Sequence, residues 1–113
     1  MPIDATLPYD DNNIFARILR GEIPAKTVYE DDYALAFHDI QPRAPIHILV
    51  IPRRIGAEIA GFVRAVGKVA RDNGLVAPGY RLLANTGGHG GQEVAHLHIH
   101  LFGGQHLGPM LAI

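Results

Sequence analysis

The stretch "HLHIHLF", residues 96–102, decides how this chain is read. Three of its seven histidines alternate with apolar residues at a spacing of two, which is the period of a strand. Read that way, His96, His98 and His100 share one face, and Leu97, Ile99 and Leu101 share the other. The apolar face anchors the strand in a core, and the imidazole face is free for chemistry.

The segment before it sharpens the point. "NTGGHGGQE", 85–93, has glycines at 87, 88, 90 and 91. Glycine lets backbone N–H groups converge on an anion and lets that anion approach closely. A hairpin turn needs only one or two glycines, and this loop runs directly into the histidines. A phosphate held there would lie beside imidazoles, and imidazole attack on phosphorus splits one difficult displacement into two easier ones.

The rest of the chain supplies the frame. Residues 1–12 form a loose acidic lead-in, which is unlike a signal peptide. "NNIFARILRGEIP" predicts a short helix capped by Asn12 or Asn13 and ended by Gly21 and Pro24. "TVYEDDYALAFHDI" predicts a hairpin turning at Glu30–Asp32, with Ala34–Asp39 as its second strand. "HILVIP" reads as a buried strand. "AEIAGFVRAVGKVARDNG" carries the clearest helical stripe, at Ile59, Phe62, Val63, Val66, Val69 and Ala70, and Gly74 ends it. "GYRLLAN" predicts a further strand. Helix, three strands, helix, two strands: this order predicts one α+β domain over 1–113 with a mainly antiparallel sheet.

Composition excludes several classes. Ten basic and eleven acidic residues give a net charge of −1, with no basic surfeit for nucleic acid or an anionic membrane. No apolar run reaches the ~18 residues of a membrane span. The absence of cysteine removes disulfides, thiolate zinc sites and thiol catalysis, and fits a cytoplasmic protein. A metal shared by the whole histidine run is also disfavoured. Positions i and i+4 on a strand stand about 13 Å apart, whereas zinc needs nitrogens at about 2.0–2.1 Å. The remaining reading is divided labour, one imidazole reacting while others orient it or bind charge, with no cofactor required.

At this point the chain resembles a known family. "HLHIHLF" fits the His-φ-His-φ-His-φ-φ signature of the histidine-triad (HIT) family, where φ is apolar. "EIPAKTVYEDDYALAFHDIQPRAPIHILVIPRR" and "GYRLLANTGGHGGQEVAHLHIHLFGG" are similar to its nucleotide-binding branch. The resemblance implies a five-stranded antiparallel sheet with two helices, paired into a ten-stranded sheet across a homodimer. It also implies hydrolysis of the P–N bond of adenosine or guanosine 5′-phosphoramidates to AMP or GMP, through a nucleotidyl-histidine.

Carried over position by position, the resemblance makes His98 the nucleophile. His100 binds phosphate and supports the leaving group, His96 completes the triad, and His47 lies near the nucleophile. Asn85 with the backbone of Gly91 and Gln92 holds phosphate oxygens, Asp39 takes the ribose hydroxyls, and Ile40 flanks the base. Glu93 stands where many relatives carry a serine that helps the amine leave. Dinucleoside polyphosphate hydrolysis, nucleotidyl transfer and a weakly catalytic nucleotide-binding module are the competing readings. His38 reads as structural, and His89, His106, Arg53 and Arg54 as solvated. Only Ile55 and Gly56 separate "IPRR" from "AEIAG", where relatives carry a longer connection.

Overall fold

In the computed structural model, residues 10–53 and 59–111 are described. The chain opens with α1, Ile14–Leu19. Asn13 caps it, its side-chain oxygen accepting from the Ala16 N–H at 2.9 Å. Strands β1 (Thr27–Glu30) and β2 (Ala34–His38) follow as the expected hairpin. The Asp31 carboxylate holds its turn by accepting from the N–H groups of Tyr33 and Ala34. β2 stops one residue short of the expected end, so Asp39 lies just past the strand.

Next come β3 (Ile46–Pro52) and the long helix α2 (Ile59–Asp72). Gly74, at φ +70°, closes α2, with the Leu75 N–H bonded to the Ala70 carbonyl and the Gly74 N–H to that of Arg71. β4 (Arg81–Leu83) is shorter than "GYRLLAN" suggests. α3 (Gly87–Gly90) is a single turn inside the glycine loop, and a third helix beyond the two that the resemblance implies. β5 (Ile99–Gly103) ends the sheet. The short 53–57 connection falls largely outside the described residues.

All pairings are antiparallel and the strand order is β1-β2-β3-β5-β4, so α2 carries the chain across the sheet. The sheet is covered on both faces, which explains why β3 reads as a continuous apolar run rather than an alternating one. Ala34, Ala36, Ile48, Val50 and Leu101 pack under Phe62, Ala65, Val66, Val69 and Ala70 of α2. Leu35, Phe37, Leu49 and Ile51 point the other way, toward Phe15 of α1. Val63, expected in the buried stripe, is 58% exposed, and Ala65 takes its place against the sheet.

The second face positions the chemistry. α1 is only six residues long and covers part of it. By alternation His47 belongs to this face with Leu49 and Ile51, and His100 and Phe102 belong to it opposite Leu101. Register sets His47 against Phe102 and Leu49 against His100 across the β3–β5 ladder. Leu83 pairs with His100, and Arg81 with Phe102, on the other side.

Candidate active site

A cavity of about 560 Å³ lies on this face, of a size that suits a small-molecule ligand. Asp39, His47, Asn85, Gly91, Glu93, His98 and His100 all line it. Sequence positions 39 to 100 are thus brought to one place by three strands and the glycine loop.

The histidine run is not one regular strand. β5 begins only at Ile99, and the His96 N–H bonds back to the Val94 carbonyl at 2.8 Å. This kink overturns the simple alternation. Leu97, expected in the core, is 51% exposed, while His96 and His98 are buried. Phe15 is the reason they fit: its ring meets His98 edge-on at 4.9 Å and His96 at 6.4 Å. His96 does not line the cavity. Its Nε2 lies 3.2 Å from the Pro52 carbonyl, which ties the kink to the end of β3.

Hydrogen bonds assign each tautomer. His98 Nδ1 lies 2.6 Å from the His96 carbonyl oxygen, an acceptor only, so Nδ1 carries the proton and donates it. Nε2 of His98 is then an unprotonated lone pair. The Arg43 N–H donates to His47 Nδ1 at 3.1 Å, so the proton of neutral His47 sits on Nε2. That nitrogen lies 3.0 Å from His100 Nδ1 and 3.4 Å from Asp39 Oδ2. Accepting at Nδ1 leaves His100 with its proton on Nε2. The site therefore holds a nucleophilic nitrogen on His98 and a donor on His100, with ring centroids 5.0 Å apart.

Burial favours the neutral form of His100, His47 and His96. It pushes His100 down to about 4, and the positive charge that His98 or His47 would carry adds to the effect. Burial also lowers His47, against the opposing pull of Asp39, and it lowers His96. Phe102 packs on His47 at 4.2 Å and lies parallel to His100 at 5.7 Å, holding both rings in place.

Two expected contacts are placed differently. Ile40 is 92% exposed and outside the cavity lining, because β2 ends at His38 and the chain turns away through Asp39. Gln92 is buried and also outside the lining. Its side chain accepts from the Gly87 N–H and donates to the Val94 carbonyl, stapling the loop. The N–H groups of Gly91 and Gln92 bond to the carbonyls of Gly88 and Gly87, closing the α3 turn with Gly91 at φ +76°. They are engaged within the loop rather than turned toward the cavity.

Sequence reasoning missed Phe15, Leu49, Arg43, Arg81 and Leu107 as lining residues. Arg81 binds the carbonyls of Gly108 and Pro109 at 2.9 and 3.2 Å, folding the tail back so that Leu107 reaches the wall. Spacing also hid a convergence of distant ligand types: donor atoms of Asp39, His47 and His100 lie within 4.8 Å of one another. A metal at His47 Nε2 would displace that proton to Nδ1, against the Arg43 N–H that points there. The donor set is better suited to passing hydrogen bonds than to holding an ion.

The family model described as HIT domain matches residues 20–107. An uncharacterised 13.2 kDa HIT-like protein of Azospirillum brasilense is 59% identical, covering 91% of this chain and 94% of that protein. The purine nucleoside phosphoramidase of Escherichia coli strain K12 is 46% identical, covering 90% and 95%. Among solved structures, a histidine triad protein from Clostridium difficile superposes with a TM-score of 0.79 at 39% identity, covering 87% and 95%. A HIT family hydrolase from Legionella pneumophila gives 0.78 at 42%, covering 84% and 95%. With its fold, its histidine motif and most of its length matched, the chain belongs to the HIT family.

Proposed function

We propose that this HIT-family hydrolase cleaves the P–N bond of purine nucleoside 5′-phosphoramidates. The observation that carries the reading is the tautomer of His98: Nδ1–H is tied to the His96 carbonyl, which leaves the Nε2 lone pair available in a cavity that also holds the His100 donor. The E. coli relative bearing the name of this activity supports it.

In the first step a bond forms from His98 Nε2 to the α-phosphorus as the P–N bond breaks. The amine departs with a proton from His100 Nε2–H. Water then cleaves the P–N bond of the nucleotidyl-histidine and returns one of its protons to His100 Nε2, releasing AMP or GMP and restoring both His98 and His100. Asn85 donates to phosphate oxygens, with Gly91 allowing their close approach, and Asp39 accepts from the ribose hydroxyls. Glu93 lines the same cavity, at the position where many relatives carry the serine that helps the amine leave. Phe15 and Leu49 offer apolar surface to the base, and the exposed Ile40 would fold over it on binding. No cofactor enters the scheme.

The chain would act as a homodimer in the cytoplasm. β4 is a sheet edge, and the apolar residues Tyr80, just before it, and Leu82, within it, are exposed. Among the described residues no helix is long and apolar enough to cross a membrane. Incubation with adenosine 5′-phosphoramidate should yield AMP and ammonia, and an adenylylated His98 should be seen by mass spectrometry after acid-free quenching. Turnover of a dinucleoside polyphosphate but not of the phosphoramidate would replace this reading.

A further inference from the structure

We propose that sugar recognition and proton delivery are linked through one shared proton, the Nε2–H of His47, for which Asp39 and His100 compete. The inference rests on the nucleotide reading above and concerns what the ribose does once bound.

A neutral imidazole has a single N–H. The Arg43 N–H occupies Nδ1 of His47, so that single proton is on Nε2. Two acceptors face it, His100 Nδ1 at 3.0 Å and Asp39 Oδ2 at 3.4 Å. His47 is buried, so the competition is decided inside the protein rather than by solvent. Burial also holds His47 below the ordinary imidazole value, so a second ring proton does not relieve the competition. Of the Asp39 oxygens, Oδ1 already accepts from the Gln41 N–H at 2.8 Å, and Oδ2 is the one that faces His47.

A ribose diol donates two O–H groups to a carboxylate. With its lone pairs filled, Asp39 draws less on the His47 proton, and the hydrogen bond to His100 strengthens. No proton leaves its ring; only the acceptor changes. His100 is then held with Nδ1 accepting and Nε2–H presented to the leaving group. Without the diol, Asp39 Oδ2 at 3.4 Å keeps its pull on the His47 N–H and weakens, without breaking, the 3.0 Å bond to His100. The His100 ring is then held less firmly, and its Nε2–H is less well aimed at the amine. His47 is thus a positioning residue, and the diol acts on the chemical step as well as on binding.

The test compares adenosine 5′-phosphoramidate with its 2′,3′-dideoxy analogue. In the wild-type protein the dideoxy substrate should show a kcat about tenfold lower, the scale of one hydrogen bond, beside its higher KM. In His47→Leu, kcat on the ribo substrate falls and the ribo-to-dideoxy ratio of kcat collapses to about one, while the KM ratio persists. A wild-type effect confined to KM, or a kcat ratio unchanged in His47→Leu, overturns the linkage. Ring ¹⁵N–¹H NMR of the wild-type protein covers the case in which the variant does not fold. Adenosine should shift the His47 Nε2–H downfield and 2′,3′-dideoxyadenosine should not; equal shifts overturn the proposal. A nucleoside-specific shift without phosphoramidate turnover would refute the phosphoramidase reading and leave the linkage standing, whereas no binding of either nucleoside would refute both.

Discussion

His98 and His96 are joined by a 2.6 Å hydrogen bond from the imidazole Nδ1 of one to the main-chain carbonyl of the other. The bond is made within a three-residue segment, and it sets which nitrogen of His98 is free. His96 therefore serves the site through its backbone, while its ring anchors the segment to Pro52.

Replacing His98 by Asn should lower kcat by at least about a thousandfold while AMP still binds, because the loss falls on the group that forms the covalent bond. Steady-state kinetics with calorimetric AMP titration checks both halves. A variant retaining more than about a tenth of wild-type kcat, roughly 1.4 kcal/mol of barrier, rules out His98 as nucleophile.

Dialysis against EDTA should leave kcat unchanged within about twofold. Asp39, His47 and His100 converge closely enough for an ion, yet the Arg43 N–H sets His47 in the tautomer that opposes one. Loss of activity on chelation, with recovery on adding zinc, would show that an ion does hold these three side chains.

Acid should destabilise the fold in a definite window. His100 titrates near 4 when folded against an ordinary 6.5, and burial lowers His47 and His96 as well. Between those values the unfolded chain binds more protons than the folded one, so stability rises with pH there. The contribution is present above about 6.5 and is lost as pH falls toward about 4. Discounted for partial exposure, a net loss of about 1 kcal/mol would lower Tm by roughly 4–8 °C. Calorimetric scans at pH 7.5 and 5 measure it; an unchanged Tm would mean that these rings titrate normally.

Gly103→Ala should destabilise by about 1–3 kcal/mol without touching the cavity. A methyl group there would sit 2.7 Å from the buried Leu75 side chain, which packs against the sheet just after α2 ends. Shortening the neighbour in Gly103→Ala/Leu75→Val should recover part of the loss, read from urea midpoints. Equal midpoints for the wild type and the single variant would mean that Leu75 moves freely.

Local pattern was enough to identify most elements. α1, the β1–β2 hairpin, β3 and α2 follow from apolar spacing, turn residues and glycine stops that act within a few positions of one another. The histidine motif and its glycine loop likewise pointed to Asn85, His98 and His100, which the structure gathers on one cavity. Alternation failed at Leu97 and His96, where a main-chain bond to Val94 and the ring of Phe15 outweigh the strand period. Spacing also could not foresee that Arg43 orients His47, that His47 reaches His100, or that Arg81 folds Leu107 onto the cavity. Those contacts join residues brought together only when β3, β4 and β5 pair in register. Which nitrogen carries each proton is decided there, because a tautomer depends on partners in space rather than on neighbours in sequence.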